Sequence, residues 1–304
     1  MSVTVEEVEL LSHGIILRAG VYMPDTSALK GAKGLPCIIM GHGLGGTRAA
    51  GLEPFARHFA EAGFCVVAFD YRGFGQSDGQ PRQCVDIRMQ QDDWHSTLSY
   101  VRSRPDVDPS RIGLWGSSFS GGHVVAVAVE DGDVAAISAQ GAMLDGLAAF
   151  KHLLRENGLA AVLKLSRQAS LDALRGKLGA KRITWPVVGA PGSQAVLTTP
   201  DSVSGYLAIA PPDWVNAITL SWALTLPLFR PNRLAAKLAC PTLICITEHD
   251  AVVPPAAMED AAKQAGDNAE VKRYPIQHFE VYVGEGFKRA VADQTEFFTR
   301  HMGA

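Results

Sequence analysis

The chain has 304 residues, with 28 basic and 31 acidic side chains and a net charge of −3 when histidines are neutral. Hydrophobic residues make up 47% and charged residues 19%, which excludes a disordered, collagen-like or coiled-coil chain. No basic run marks a nucleic-acid surface, so a small-molecule partner is expected and nucleic acid is not.

Read from the first residue, Glu6, Glu7 and Glu9 stand where a secretory leader needs a basic start and an apolar stretch, so no export signal is expected. Residues 4–11 and 14–23 alternate polar with apolar across a tight connection, which predicts an antiparallel hairpin at one sheet edge. Short β-branched runs follow at 36–40, 64–69, 111–115, 135–139 and 241–247, with a last short strand expected at 271–274. Their continuous apolar character predicts strands covered on both faces. Helical stretches at 49–61, 86–104, 119–130, 255–265 and 284–301 lie between or after them, so the central sheet should be mostly parallel.

The alternation stops after Ala139 and resumes near Pro241. A structureless loop of that length is improbable in a compact domain, so residues 145–233 are expected to form an inserted helical cap. Residues 1–144 and 234–304 then form the core. Within the insert, 147–178 and 214–226 read as helical, and the centre is broken by Pro186, Pro191, Pro200, Pro211 and Pro212. The longest apolar segment, 217–229, is interrupted by Thr219, Ser221 and Thr225 and is shorter than the ~20 residues of a membrane span. Cys37, Cys65, Cys240 and Cys245 lie in or beside apolar runs without zinc-site spacing. Buried thiols in a reducing, cytoplasmic setting are expected, with no metal.

The segment R-I-G-L-W-G-S-S-F-S-G-G, residues 111–122, runs from a strand through a Gly/Ser-rich turn into a helix. A serine forced into such a turn needs small residues two positions before and after it. Gly116 and Ser120 flank Ser118 in that way, which makes Ser118 the candidate nucleophile. Ser117 is excluded by Trp115, whereas Ser120, between Ser118 and Gly122, remains a formal rival. On these residues the sequence resembles the α/β-hydrolase family, whose fifth strand ends in a G-x-S-x-G elbow. It departs from that pattern where Ser120 replaces the last glycine.

The resemblance implies a mostly parallel sheet flanked by helices, with an inserted cap and a Ser-His-acid triad. After the strand at 36–40 comes Gly41-His42-Gly43-Leu44-Gly45-Gly46, and the resemblance assigns oxyanion donors to the backbone N–H groups of Leu44 and Phe119. His42 is expected to be structural. No G-K-[ST] follows these glycines, so a phosphate loop is rejected. Asp70 and Arg72, in D-Y-R-G-F-G-Q-S-D-G, are expected to brace their turn.

Of nine histidines, His278 alone follows the last short strand and precedes the final helix, on a loop that can reach the sheet's carboxyl edge. Asp250 follows the strand at 241–247, where the resembling enzymes place the acid, with Glu248 and Asp145 as weaker candidates. The order Ser118, Asp250, His278 matches the chain order of that fold. Acyl transfer through an acyl-enzyme, with no cofactor, is the implied chemistry. Trp185, Trp214, Trp222 and Phe229 are expected to line an apolar substrate pocket, favouring a carboxylic ester. Amide, thioester or carbon–carbon bond hydrolysis, and a non-catalytic ligand-binding module, are the alternatives. A homodimer is compatible with these features.

Overall fold

A computed structural model of the chain describes residues 2–303. The chain opens with strands β1 (Val3–Ser12) and β2 (Ile15–Pro24), an antiparallel pair. His13 and Gly14 between them have φ values of 48° and 82°. Two consecutive positive φ values match a two-residue hairpin turn to the right-handed strand twist.

Then follow β3 (Leu35–Gly41), α1 (Glu53–Glu61), β4 (Cys65–Phe69), α2 (Ile87–Ser103), β5 (Val107–Ser117), α3 (Phe119–Asp131) and β6 (Ala136–Gln140). Between β6 and the next long strand lie α4 (Gly146–Lys177), β7 (Thr184–Trp185), α5 (Ser202–Leu207) and β8 (Ile218–Thr219). The chain closes with β9 (Thr242–Thr247), α6 (Pro255–Ala265), β10 (Ala269–Tyr274) and α7 (Gly284–Met302).

Eight strands form one sheet in the order β1-β2-β4-β3-β5-β6-β9-β10. From β4 to β10 all pairings are parallel, and β2 joins β4 antiparallel. The central strands β3, β4, β6 and β9 are buried on both faces, as their continuous apolar runs predict, whereas β1 and β10 at the edges are partly exposed. Ile38, Met40, Val66 and Ala68 pack with Phe55 and Phe59 of α1 and Phe297 and Phe298 of α7. Cys37, Ile39, Val67 and Phe69 point the other way, with Trp94 and Leu98 of α2 and Val124 and Val125 of α3. Four of the five cysteines are buried and all five are free thiols. Among the described residues, no helix is long and apolar enough to cross a membrane.

The segment between β6 and β9 differs from expectation in its second half. Residues 214–226 do not form a helix. They contribute β8, which pairs with β7, and then the short 3-10 turns Ser221–Leu224 and Leu226–Leu228. Pro227 sits where a continuing helix would need an N–H, and its ring excludes the helical hydrogen bond. A single carboxylate organises this region. Asp172, fully buried on α4, accepts from Arg182, from the N–H of Ile183, and from the N–H groups of Leu220 and Ser221.

Candidate active site

Ser118 sits between the end of β5 and the start of α3 with φ 57° and ψ −121°. A non-glycine residue in this conformation is strained and persists only where its surroundings impose it. The surroundings do so through backbone bonds: the Ser118 N–H donates to Gln140 O at 2.8 Å, and Ser118 O accepts from Met143 and Gly121 at 2.9 and 3.0 Å. Gly116 is required here, because a Cβ at that position would collide with the Ser120 carbonyl.

Three side chains distant in sequence form one hydrogen-bonded line. The Ser118 hydroxyl donates to His278 Nε2 at 3.1 Å, and His278 Nδ1–H donates to Asp250 Oδ2 at 2.6 Å. Asp250 follows β9, and its orientation is set by four donors. Oδ2 also accepts from Thr247 Oγ1 at 2.7 Å, and Oδ1 accepts from the N–H groups of Val252 and Val253 at 2.8 and 2.7 Å. His278 and Asp250 are only 3% and 8% exposed. Burial disfavours the His278 imidazolium, but the charge and hydrogen bond of Asp250, with a smaller contribution from Asp201, raise its pKa above the ordinary imidazole value. Burial likewise opposes ionisation of Asp250, and the His278 charge and hydrogen bond, with those from Thr247 and Val253, hold its carboxyl below the usual range.

The turn after β3 lies against the serine: a Cβ on Gly43 would come within 3.1 Å of Ser118 Cβ. Leu44 lines the same cavity as Ser118, and Phe119 is the first residue of α3. Among the described residues, neither the Leu44 nor the Phe119 N–H donates to a protein acceptor. The peptide carrying the Leu44 N–H is held from its other end, where His42 Nδ1–H donates to Gly43 O at 3.0 Å. A carbonyl that accepts such a bond polarises its own N–H. His42 itself is buried, and that burial lowers its pKa against the opposing influence of Asp70 and Gly43, so the ring is neutral. The two following carbonyls are held from the insert: Tyr206 Oη–H donates to Leu44 O at 2.9 Å and Trp214 Nε1–H to Gly45 O at 2.8 Å.

The rivals are otherwise engaged. Ser120 Oγ is 2.7 Å from Tyr71 Oη, which in turn accepts from Trp94 Nε1, so the residue that replaces the usual glycine closes a buried hydroxyl network. Ser117 bonds Tyr282. Asp145 caps α4 through Leu147 and Ala148 and pairs with Arg230 at 2.6 Å, away from His278. Asp70 accepts from the Arg48 and Gln76 N–H groups, and Arg72 pairs with Asp93, both bracing their turn as expected. His123 is wholly buried against Phe119 and Phe229, and burial lowers its pKa to about 3.

A small cavity of about 20 Å³ faces Ser118, bounded in the core by His42, Leu44, His278 and Tyr282 and in the insert by Leu197, Tyr206 and Ile209. The four aromatic residues expected to line it lie elsewhere. Trp185 packs in the insert against Ala169 and Leu220. Trp214 stacks on Tyr206 with ring centroids 4.4 Å apart, and Trp222 and Phe229 pack on Phe119. Large apolar side chains serve equally as packing: Trp185 fills the insert's own core, Trp214 stacks within the insert, and Trp222 and Phe229 join the insert to α3. The aliphatic Leu197 and Ile209 carry no signal in sequence that sets them apart from core residues.

A parallel sheet in this strand order, with a strained serine behind its central strand and an acid and a histidine behind later strands, defines an α/β hydrolase. A family model described as "Serine aminopeptidase, S33" matches residues 32–280, and the chain belongs to that family. The chain is 38% identical over 296 residues to the quorum-quenching protein AidA of Acinetobacter baumannii, a match covering 97% of this chain and 94% of that one. Among solved structures, the α/β hydrolase GrgF from Penicillium superposes with a TM-score of 0.80 at 22% identity, covering 99% of this chain and 100% of that one. DcsB, in complex with a substrate analogue, superposes with a TM-score of 0.82 at 24% identity over the same shares. At these identities the two structures show the fold alone.

Proposed function

We propose that this chain is a serine hydrolase that cleaves a carboxylic ester of a small, largely apolar molecule, with Ser118, His278 and Asp250 as catalytic residues and residues 145–233 as a cap over the site. The observation that carries this reading is the line of hydrogen bonds from Ser118 through His278 to Asp250, ending at a cavity beside unpartnered backbone N–H groups.

In this reading His278 Nε2 takes the Ser118 proton as Oγ attacks the acyl carbon. The N–H groups of Leu44 and Phe119 hold the resulting oxyanion, each contributing about 2.7 to 4 kcal/mol in the transition state. Collapse expels the alcohol, which leaves with the proton from His278. A water gives a proton to His278 as its oxygen attacks the acyl carbon, and His278 returns that proton to Ser118 Oγ as the acyl–oxygen bond breaks, releasing the acid and free Ser118. Asp250 keeps the imidazole in the productive tautomer throughout.

None of the residues lining the cavity is acidic, and Asp201, whose charge reaches His278, lies outside that lining; the uncharged wall favours an ester over an aminopeptidase substrate. A quorum-quenching role, named for the Acinetobacter relative, is part of this proposal and fits a small diffusible substrate. The test is covalent labelling by a fluorophosphonate, followed by turnover of esters of graded acyl length beside an aminoacyl anilide. Labelling that Ser118→Ala abolishes, with esters preferred to the anilide, supports the reading. Folded protein that takes no label overturns it.

A further inference from the structure

The solvent side of α4 is as apolar as its inward side. Beyond a break at Gly158, whose φ is 77°, the helix buries Val162, Ala169 and Asp172. On the opposite side Leu159, Leu163, Leu171, Leu174 and Leu178 stand 63, 60, 40, 53 and 73% exposed. At 3.6 residues per turn and 1.5 Å per residue these five fall within a sector of about 120° along about 28 Å. A surface helix ordinarily gives that sector to polar groups, and a contiguous apolar patch of this kind marks a contact surface.

The charge around the patch is as uneven as its hydrophobicity. Residues 151–182 contain eight basic and two acidic side chains, a net of +6 on a chain whose total is −3. One of those acids, Asp172, is buried and already paired with Arg182. Among the described residues, none of Lys164, Arg167, Arg175 and Lys177 forms an ion pair. By the same helical geometry Arg167 lies inside the leucine sector, Lys177 lies at one edge, and Lys164 and Arg175 lie just past the other.

We propose that this face of α4 docks the protein onto an anionic lipid surface, with the helix lying in the headgroup plane. Leucines on one face flanked by lysine and arginine are the composition that binds such a surface through apolar burial and charge together. A second copy of the chain is the wrong occupant, because it would bring one strongly cationic face against another. An acidic protein is a poorer fit, because the large apolar residues of the sector are all leucine, without the tyrosine, tryptophan and methionine that protein interfaces concentrate. Docking is a property of the insert and does not depend on the hydrolase reading.

The experiment therefore uses the Ser118→Ala protein, which cannot turn over an ester in the vesicle. It is floated with vesicles of phosphatidylcholine alone and of phosphatidylcholine mixed with phosphatidylglycerol, at low and high salt. The protein is expected to float with the mixed vesicles and to be released by salt. Lys164→Gln and Arg175→Gln should each lower the partition coefficient about fivefold, corresponding to about 1 kcal/mol per cation. The double change Leu163→Ser and Leu174→Ser should lower it about tenfold or more while thermal melting stays unchanged. The proposal is overturned if the protein does not float, if it floats equally with phosphatidylcholine alone, or if these variants float like their parent. It is also overturned if sedimentation shows a dimer that the leucine changes dissociate, or if an acidic acyl carrier protein is retained while vesicles are not.

Discussion

Asp250→Asn removes one charge at the far end of the Ser118–His278–Asp250 line, and the structure dictates how the new amide must sit. Oδ1 of Asp250 accepts two backbone N–H groups, from Val252 and Val253. An asparagine must leave its oxygen there, because its NH₂ would face two donors. The NH₂ then takes the place of Oδ2, which is 2.6 Å from His278 Nδ1. A donor at that position forces the His278 proton onto Nε2, where it points at Ser118 and blocks the transfer that attack requires.

The same error of tautomer in other Ser-His-Asp enzymes costs about 10⁴ in turnover, or about 5.4 kcal/mol at 1.36 kcal/mol per decade. A loss of that size in kcat for a chromogenic short-chain ester is expected, with the melting temperature nearly unchanged because both backbone bonds survive. The pH profile should change as well. In the parent protein the Asp250 charge raises the His278 pKa, so the acid limb of kcat/KM should lie above the ordinary imidazole value. In the variant, burial acts without that charge, and the limb should move to lower pH. A loss of less than about tenfold in a folded protein, or a larger loss from Asp145→Asn, would refute the assignment of the acid.

Ser118→Ala should lower turnover about a million-fold and abolish fluorophosphonate labelling, while Ser120→Ala should keep the label, as read by mass spectrometry. His42→Phe retains a ring but releases Gly43 O; kcat should fall about tenfold to a hundredfold with little change in KM if the Leu44 N–H is an oxyanion donor, and an unchanged kcat would remove that role. His123, with a folded pKa of about 3 against an ordinary 6.5, binds fewer protons folded than unfolded between those values. Stability should therefore fall by about 1.4 kcal/mol per pH unit below 6.5 on its account, and in urea melts at pH 7 and 5 His123→Gln should flatten that slope.

What could be read in the sequence is what is encoded locally. Ser118 was legible because a small-flanked serine between a strand and a helix permits few backbone conformations, and its φ of 57° is the one that this turn needs. The meeting of Asp250 and His278 with Ser118 was legible because Asp250 follows an apolar strand and His278 lies between the last short strand and the final helix, at the edge where parallel strands end. The insert was legible only as an interruption. Its fold depends on Asp172 reaching the N–H groups of Leu220 and Ser221, a separation of nearly fifty residues that leaves no periodic trace. Leu197 and Ile209 face the cavity while Trp185 turns into the insert's own core, a choice that no local pattern encodes. Tryptophan content cannot distinguish a pocket wall from glue, since both bury the same apolar surface.

The division of hydrogen bonds around the turn after β3 bears on how a substrate reaches Ser118. A cavity of about 20 Å³ holds roughly one water, so an acyl group needs Leu197, Tyr206 or Ile209 to give way. Moving Tyr206 breaks its bond to Leu44 O and disturbs the bond from Trp214, stacked on it, to Gly45 O. The bond from His42 to Gly43 O lies wholly within the core turn and does not depend on the insert. The peptide that presents the Leu44 N–H is thus anchored on the side that stays, while the peptides beyond it are anchored on the side that must move. If the Leu44 N–H is an oxyanion donor, as proposed, substrate admission and oxyanion binding should be separable by mutation: Tyr206→Phe, which removes a bond to the wall, should change KM more than kcat, and loss of the His42 ring nitrogen should change kcat more than KM.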